Sequence, residues 1–138
     1  MEEEKKKMKS GGLLHPELAF QIASCGHRDL ICIADAGLPL PRNVPRIDLA
    51  YAPGKPPFFD VLKTVLQEIA LEEVCWAEEA EEKSPHLVQR FEDLFRELSQ
   101  ERIPHEEFKA RLEAVRFVVR TGEFTPYANV LLRCGVPF

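Results

Sequence analysis

Five apolar residues in a row, Leu30-Ile31-Cys32-Ile33-Ala34, constrain the fold of this chain more than any other stretch. Residues 26–29, Gly-His-Arg-Asp, precede the run, and Asp35-Ala36-Gly37 follows it, with Pro39 and Pro41 stiffening the loop beyond. A run without polar alternation has no face to offer water, so it must be covered on both sides. That is the condition of a central strand in a parallel sheet. Functional groups in such sheets gather where strands end, which makes His27 and Asp35 the first candidates for chemistry.

The rest of the chain alternates between strand and helix patterns. Residues 16–25 open with Pro16 and close at Gly26, the punctuation of a short helix. Residues 46–51 alternate with period two. In 58–71, Phe58, Val61, Leu62, Val65, Leu66 and Ile69 recur at steps of three and four, one apolar face of a helix. A short apolar strand is predicted over 74–77. A second amphipathic helix is predicted over 87–98, with Pro85 at its start and Ser84 as a possible cap. Residues 105–114 read as a third helix, and 115–119 and 129–132 as closing strands. This alternation predicts an α/β fold: one domain over 11–138, with a mostly parallel sheet flanked by helices in three α/β/α layers.

The charged start of the chain, Met-Glu-Glu-Glu-Lys-Lys-Lys-Met, lacks the apolar core of a secretory signal, and residues 1–10 read as a disordered, solvated tail. A net charge of −5 with scattered basic residues argues against a nucleic-acid surface. No apolar run approaches the ~18 residues of a membrane span. Cys25, Cys32, Cys75 and Cys134 sit in mostly apolar settings without a CxxC pair, as expected of core thiols in the reducing cytoplasm.

Each candidate polar residue has a plain reading beside its functional one. His27 lies at a turn, where a histidine is commonly just exposed. Asp35 either ties down the following loop through backbone N–H groups or binds a substrate. His105 stands at a helix start, where capping is the default. Glu78, Glu79, Glu81 and Glu82 read as a solvated acidic face. No metal-ligand spacing, phosphate-cradling glycine loop or nucleophile elbow occurs, so no metal and no cofactor are expected. The expectation is a cofactor-free site built from His, Asp, Tyr and Asn.

Four separated motifs in order carry a resemblance: Gly26-His27-x-Asp29, Ile33-Ala34-Asp35-Ala36-Gly37-Leu38-Pro39-x-Pro41, His105-Glu106-Glu107-Phe108-Lys109, and Arg120-Thr121-Gly122-Glu123-x-x-Pro126-Tyr127-Ala128-Asn129. With the ending Gly135-Val136-Pro137-Phe138, the chain from about Leu14 onward resembles the sugar mutarotase family of the ribose pyranases and L-fucose mutarotases. The Asp-Ala-Gly and Pro-Tyr-Ala-Asn spellings resemble the ribose branch. The longer charged N-terminus and Pro137 depart from the family pattern without touching its motifs. The resemblance implies interconversion of pyranose and furanose forms of D-ribose, with His27 as catalytic acid and Asp35, His105, Tyr127, Ala128 and Asn129 holding the sugar. It further implies a cytoplasmic homo-oligomer, a decamer of stacked pentameric rings. A mutarotase for another sugar such as L-fucose, or a non-enzymatic sugar-binding or regulatory module on the same fold, is the alternative.

The chemistry suits those residues. Ring opening delivers a proton to the ring oxygen and removes one from the anomeric hydroxyl, with no change of oxidation state. Histidine exchanges protons near neutrality, whereas Asp, Asn and Tyr hold hydroxyls and a ring face. His27 and Asp35 are eight residues apart, roughly 20 to 26 Å along an extended strand at ~3.3 Å per residue. A pentose cannot span that distance, so the expectation is a site shared between subunits, unless a sharp bend at Gly26 folds His27 back.

Overall fold

In the computed structural model, which describes residues 8–138, the Leu30–Ala34 run is strand β1, and every residue of it is buried. It lies inside a six-stranded sheet with β2 (Arg46–Asp48), β3 (Leu71–Ala77), β4 (Ser99–Ile103), β5 (Phe117–Arg120) and β6 (Val130–Cys134). The order across the sheet is β2-β5-β1-β6-β3-β4. β1 pairs parallel with β5 in the register Ile31↔Phe117 to Ala34↔Arg120, β2 pairs parallel with β5, and β3 pairs parallel with β4. β6 alone runs backwards, antiparallel to both β1 and β3. The sheet is therefore mixed, with a mostly parallel framework.

Two apolar layers cover the sheet, and strand alternation divides the side chains between them. Ile31 and Ile33 of β1 join Trp76, Phe117, Val119, Val130 and Leu132 on one face. There they meet helices α1 (Pro16–Ala23), α2 (Phe58–Leu66) and α4 (Pro85–Leu94). Phe91 of α4 is fully buried and packs against the rings of Phe58, Trp76 and Phe95, with centroids 5.7, 5.1 and 6.1 Å away. Leu30, Cys32 and Ala34 face the other way, onto Phe108 of α5 (His105–Arg111) and Leu112 of the 3-10 turn that follows it. A one-turn helix, α3 (Ala80–Lys83), joins β3 to α4. The expected α/β/α layering is present, and it explains why β1 carries no polar residue.

Several boundaries differ from the sequence reading. Strand β4 has no counterpart in it, because Ser-Gln-Glu-Arg-Ile shows no apolar alternation and only Ile103 is buried. Charged side chains such as Glu101 and Arg102 are what an edge strand carries against unwanted pairing. The second amphipathic helix stops at Leu94 rather than running to 98, and Gln100 reaches back to donate to the carbonyls of Phe95 (2.9 Å) and Glu92 (3.3 Å). The helix predicted over 58–71 ends at Leu66, and Leu71 already belongs to β3. Ser84 makes no side-chain cap; its hydroxyl donates instead to the Pro126 carbonyl at 2.6 Å, pinning the loop before β6. Of the tail expected over 1–10, residues 1–7 lie outside the described residues, and Met8, Lys9 and Ser10 are exposed without regular structure.

The loop between β5 and β6 is held by its first residues. Thr121, fully buried, donates its hydroxyl to the Ala34 carbonyl at 2.8 Å. Glu123 accepts from the backbone N–H of Phe58 at 2.9 Å, capping α2 from outside. Burial raises the Glu123 carboxyl, but hydrogen bonds from Phe58, Thr125 and Phe124 outweigh it and leave the group below the usual range. Between them, Gly122 donates to the Pro56 carbonyl and accepts from Gly54, at 2.9 and 2.7 Å. A Cβ at this position would run into the Lys55 backbone, which has no rotamer with which to move aside. Gly122→Ala should therefore cost about 1–3 kcal/mol of stability, read as a lower urea midpoint with an unchanged slope.

Candidate active site

Because β6 runs against β1 and β3, its first residues arrive where those two strands finish. Asn129 thereby meets Asp35 by two hydrogen bonds: the Asp35 N–H donates to Asn129 Oδ1 at 2.8 Å, and Asn129 Nδ2 donates to Asp35 Oδ2 at 3.1 Å. The other carboxylate oxygen, Oδ1, accepts from the Gly37 N–H at 3.0 Å. Asp35 thus ties down its loop and also faces outward. β4 ends at Ile103 beside the end of β3, which brings His105 to the same edge. A cleft of about 300 Å³ opens there, lined by Asp35, Leu38, Pro39, His105, Tyr127 and Asn129 among others. A hollow of similar size, about 320 Å³, lies around Phe20 and Ile47, but no buried polar side chain opens onto it.

His105 does not cap its own helix. Pro104 precedes it with no side-chain cap, and the His105 N–H donates to both carboxylate oxygens of Glu79, at 2.9 and 3.0 Å. The imidazole is thereby free for the cleft. It stands edge-on to the Tyr127 ring (5.0 Å, 85°) and parallel to Phe108 (6.3 Å, 17°), and its buried Nδ1 has no hydrogen-bond partner among the described residues. Tyr127 takes a positive φ of 61°, a conformation that L residues rarely adopt and that recurs at binding sites. Burial raises the Asp35 carboxyl above its ordinary value, against the pull of hydrogen bonds from Gly37, Asn129 and Leu38 and of the His105 charge. The cleft thus offers an acceptor, a mixed donor and acceptor, an imidazole and an apolar ring face, a set that fits a small polyhydroxylated molecule.

Two of the six expected residues stand apart from this cleft. Ala128 is fully buried behind it, its N–H donating to the Thr125 carbonyl at 3.3 Å. His27 lies at the opposite end of β1, in a turn closed by Asp29 N–H to Gly26 O (3.1 Å) and Gly26 N–H to Asp29 Oδ2 (2.8 Å). The turn makes the span from His27 to Asp35 shorter than full extension, yet the strand alone still interposes roughly 13 Å. Its bend does not fold His27 over its own strand, since the His27 ring meets Glu72 at the start of β3, with Nε2 3.1 Å from Oε2. Just over half of the His27 side chain is exposed. Glu79, Thr121, Glu123 and Ser84 were not singled out from sequence for these positions. Only Glu79 had a usable signal, as it lies two positions past a strand end.

The raised Asp35 value sets the sign of a pH effect. A carboxyl that protonates more readily when folded contributes stability in full below its ordinary value of 3.8 and loses it as pH rises through the raised one. In urea titrations, the stability of the unchanged protein relative to an Asp35→Asn variant should therefore shrink as pH rises above about 4. A growing difference would mean that Asp35 ionises more easily in the fold.

Known proteins resemble this chain in sequence and in backbone. The family described as RbsD / FucU transport protein family matches residues 8–137. A D-ribose pyranase of Bacillus cytotoxicus is 45% identical over 131 residues, 95% of this chain and 100% of the relative. One from Geobacillus kaustophilus is 44% identical, covering 95% and 96%. Among solved structures, Bacillus subtilis RbsD complexed with D-ribose superposes with a TM-score of 0.91 at 45% identity, over 95% of this chain and 100% of that one. The fucose mutarotase of Streptococcus pneumoniae in complex with L-fucose shares the fold at a TM-score of 0.76 and 21% identity, over 90% and 94%. Matched along nearly its whole length in both sequence and backbone, the chain belongs to the RbsD / FucU transport protein family.

Proposed function

We propose that this protein is a D-ribose pyranase, an intramolecular isomerase that opens and recloses the sugar ring by acid–base chemistry. The observation that carries the reading is the cleft at the strand ends, where Asp35, His105, Tyr127 and Asn129 converge. Near-full-length identity to D-ribose pyranases supports the choice of ribose over other sugars. In the proposed reaction, the bond between the ring oxygen and the anomeric carbon breaks, and its electron pair goes to the ring oxygen. That oxygen takes a proton from His27, while water takes the proton of the anomeric hydroxyl as the carbonyl forms. Reclosure runs the same steps backward through a different hydroxyl, and His27 regains its proton. Asp35 and Asn129 hold hydroxyls, and Tyr127 and His105 bound the ring, so the open chain stays seated between the two steps. Contacts that tolerate the open form raise the rate, whereas a mould of one closed ring would only bind.

His27 reaches that cleft, in this proposal, from a neighbouring subunit. The length of β1 between His27 and Asp35 argues for a shared site, and rings of subunits stacked as a decamer are the assembly that family resemblance favours. Cytoplasmic location is part of the same reading and rests on the four cysteines, three of them buried. No helix among the described residues is long and apolar enough to cross a membrane.

Saturation-transfer NMR on equilibrated D-ribose tests the activity. The protein should pass magnetisation between pyranose and furanose signals, and His27→Ala should slow that exchange by about 100-fold or more while line broadening by binding persists. Broadening without transfer in the unchanged protein would mark a sugar-binding module instead. His27→Ala and Asp35→Ala chains, each inactive, should recover activity when unfolded and refolded together. An active monomer with no recovery on mixing would overturn the shared site.

A further inference from the structure

The turn that carries His27 is built to hold one imidazole in one orientation. Arg28 sits at φ 76°, an unfavourable conformation for a residue with a side chain, and its backbone is clamped on both sides. Its N–H donates to the Cys134 carbonyl at 2.9 Å, and its carbonyl accepts from Arg133 Nη1, also at 2.9 Å. From this clamped turn, His27 and Arg28 both reach the same residue on β3. Arg28 Nη1 binds Glu72 Oε1 and, at 2.8 Å, Glu73 Oε1, while His27 Nε2 lies 3.1 Å from Glu72 Oε2. The two oxygens of Glu72 thus have separate duties, one for the guanidinium and one for the imidazole.

Arg28 foremost, and His27 after it, hold the Glu72 carboxyl below the usual carboxylate range, so near neutrality it is ionised and can only accept. Whatever faces it must donate. The His27 nitrogen facing it is Nε2, which must therefore carry a hydrogen, and in the neutral ring the lone pair falls on Nδ1. We propose that Glu72 is the positioning residue of the acid–base histidine: it fixes the ring with Nε2–H toward β3 and leaves Nδ1 as the nitrogen that exchanges a proton with the sugar. The inference rests on the acid–base role of His27 proposed above and assigns that role to one atom. In the opening step the imidazolium form of His27 gives its Nδ1 proton to the ring oxygen, which leaves the neutral Nε2–H ring, and on closure Nδ1 takes a proton back. Nε2–H remains on Glu72 throughout. A carboxylate that holds one imidazole nitrogen so that the other does the chemistry is the logic of hydrolytic triads.

Magic-angle-spinning NMR of protein carrying 15N-labelled histidine reads the tautomer directly, the His27 signals being assigned by their loss in His27→Ala. In the unchanged protein the neutral form of His27 should be the Nε2–H tautomer. Glu72→Ala should give a mixture of tautomers and lower kcat for ribose exchange by about 10- to 100-fold, with KM within about twofold. Glu72→Gln keeps an acceptor oxygen and should restore the single tautomer and most of the rate. Glu72 belongs to neither apolar layer, so neither variant removes core packing. An unchanged tautomer, or an unchanged kcat, in Glu72→Ala overturns the positioning role while leaving the acid–base reading intact if His27→Ala is inactive. Full exchange by His27→Ala overturns both.

Discussion

The reversal of β6 is the constraint on which the site depends. Had the strand between β1 and β3 run parallel to them, its C-terminal end would have met theirs, and Asn129 would have stood at the far edge of the sheet. Running antiparallel, it delivers Asn129 to Asp35, where each residue satisfies polar groups of the other. A buried carboxylate needs such partners, because an unpaired charge away from water is costly. The same pair shapes the cleft floor, so what stabilises the loop after β1 also leaves carboxylate lone pairs pointing outward.

A second consequence is that polar supports for the cleft come from behind it. Glu79 satisfies the His105 N–H, Ser84 pins Pro126, Thr121 holds the Ala34 carbonyl and Glu123 caps α2. None of these side chains is left for substrate, and Glu79 satisfies the His105 backbone so that the imidazole need not. The edge that carries Asp35 and the edge that carries His27 are thus built alike. At each stands a residue with positive φ, Tyr127 or Arg28, and a glutamate of β3 or just past its end bonds to a histidine, at the backbone N–H of His105 and at the ring of His27.

Much of the framework was legible because it rests on periodicity. β1 announced itself as an unbroken apolar run, and the amphipathic helices showed steps of three and four, since each had to present one stripe to a sheet face. β4 was not legible, because an edge strand buries almost nothing and its charged residues look like loop. Helix ends were overestimated at 58–71 and 87–98, since apolar residues beyond the last turn still pack against the core without being helical. Glu79 read as surface because its partner, His105, lies 26 positions further on, and Ser84 read as a cap because its partner, Pro126, lies 42 positions further on.

By itself, then, the order of residues determined which segments must be covered on both sides and which polar residues sit at strand ends. Those are local demands of burial and backbone geometry. Tertiary structure alone decided which strand ends share an edge, since that depends on strand direction, and one antiparallel strand among parallel ones is invisible to any local pattern. It separated His27 from Asp35, Tyr127 and Asn129, and it put Glu72 within reach of the imidazole from 45 residues away.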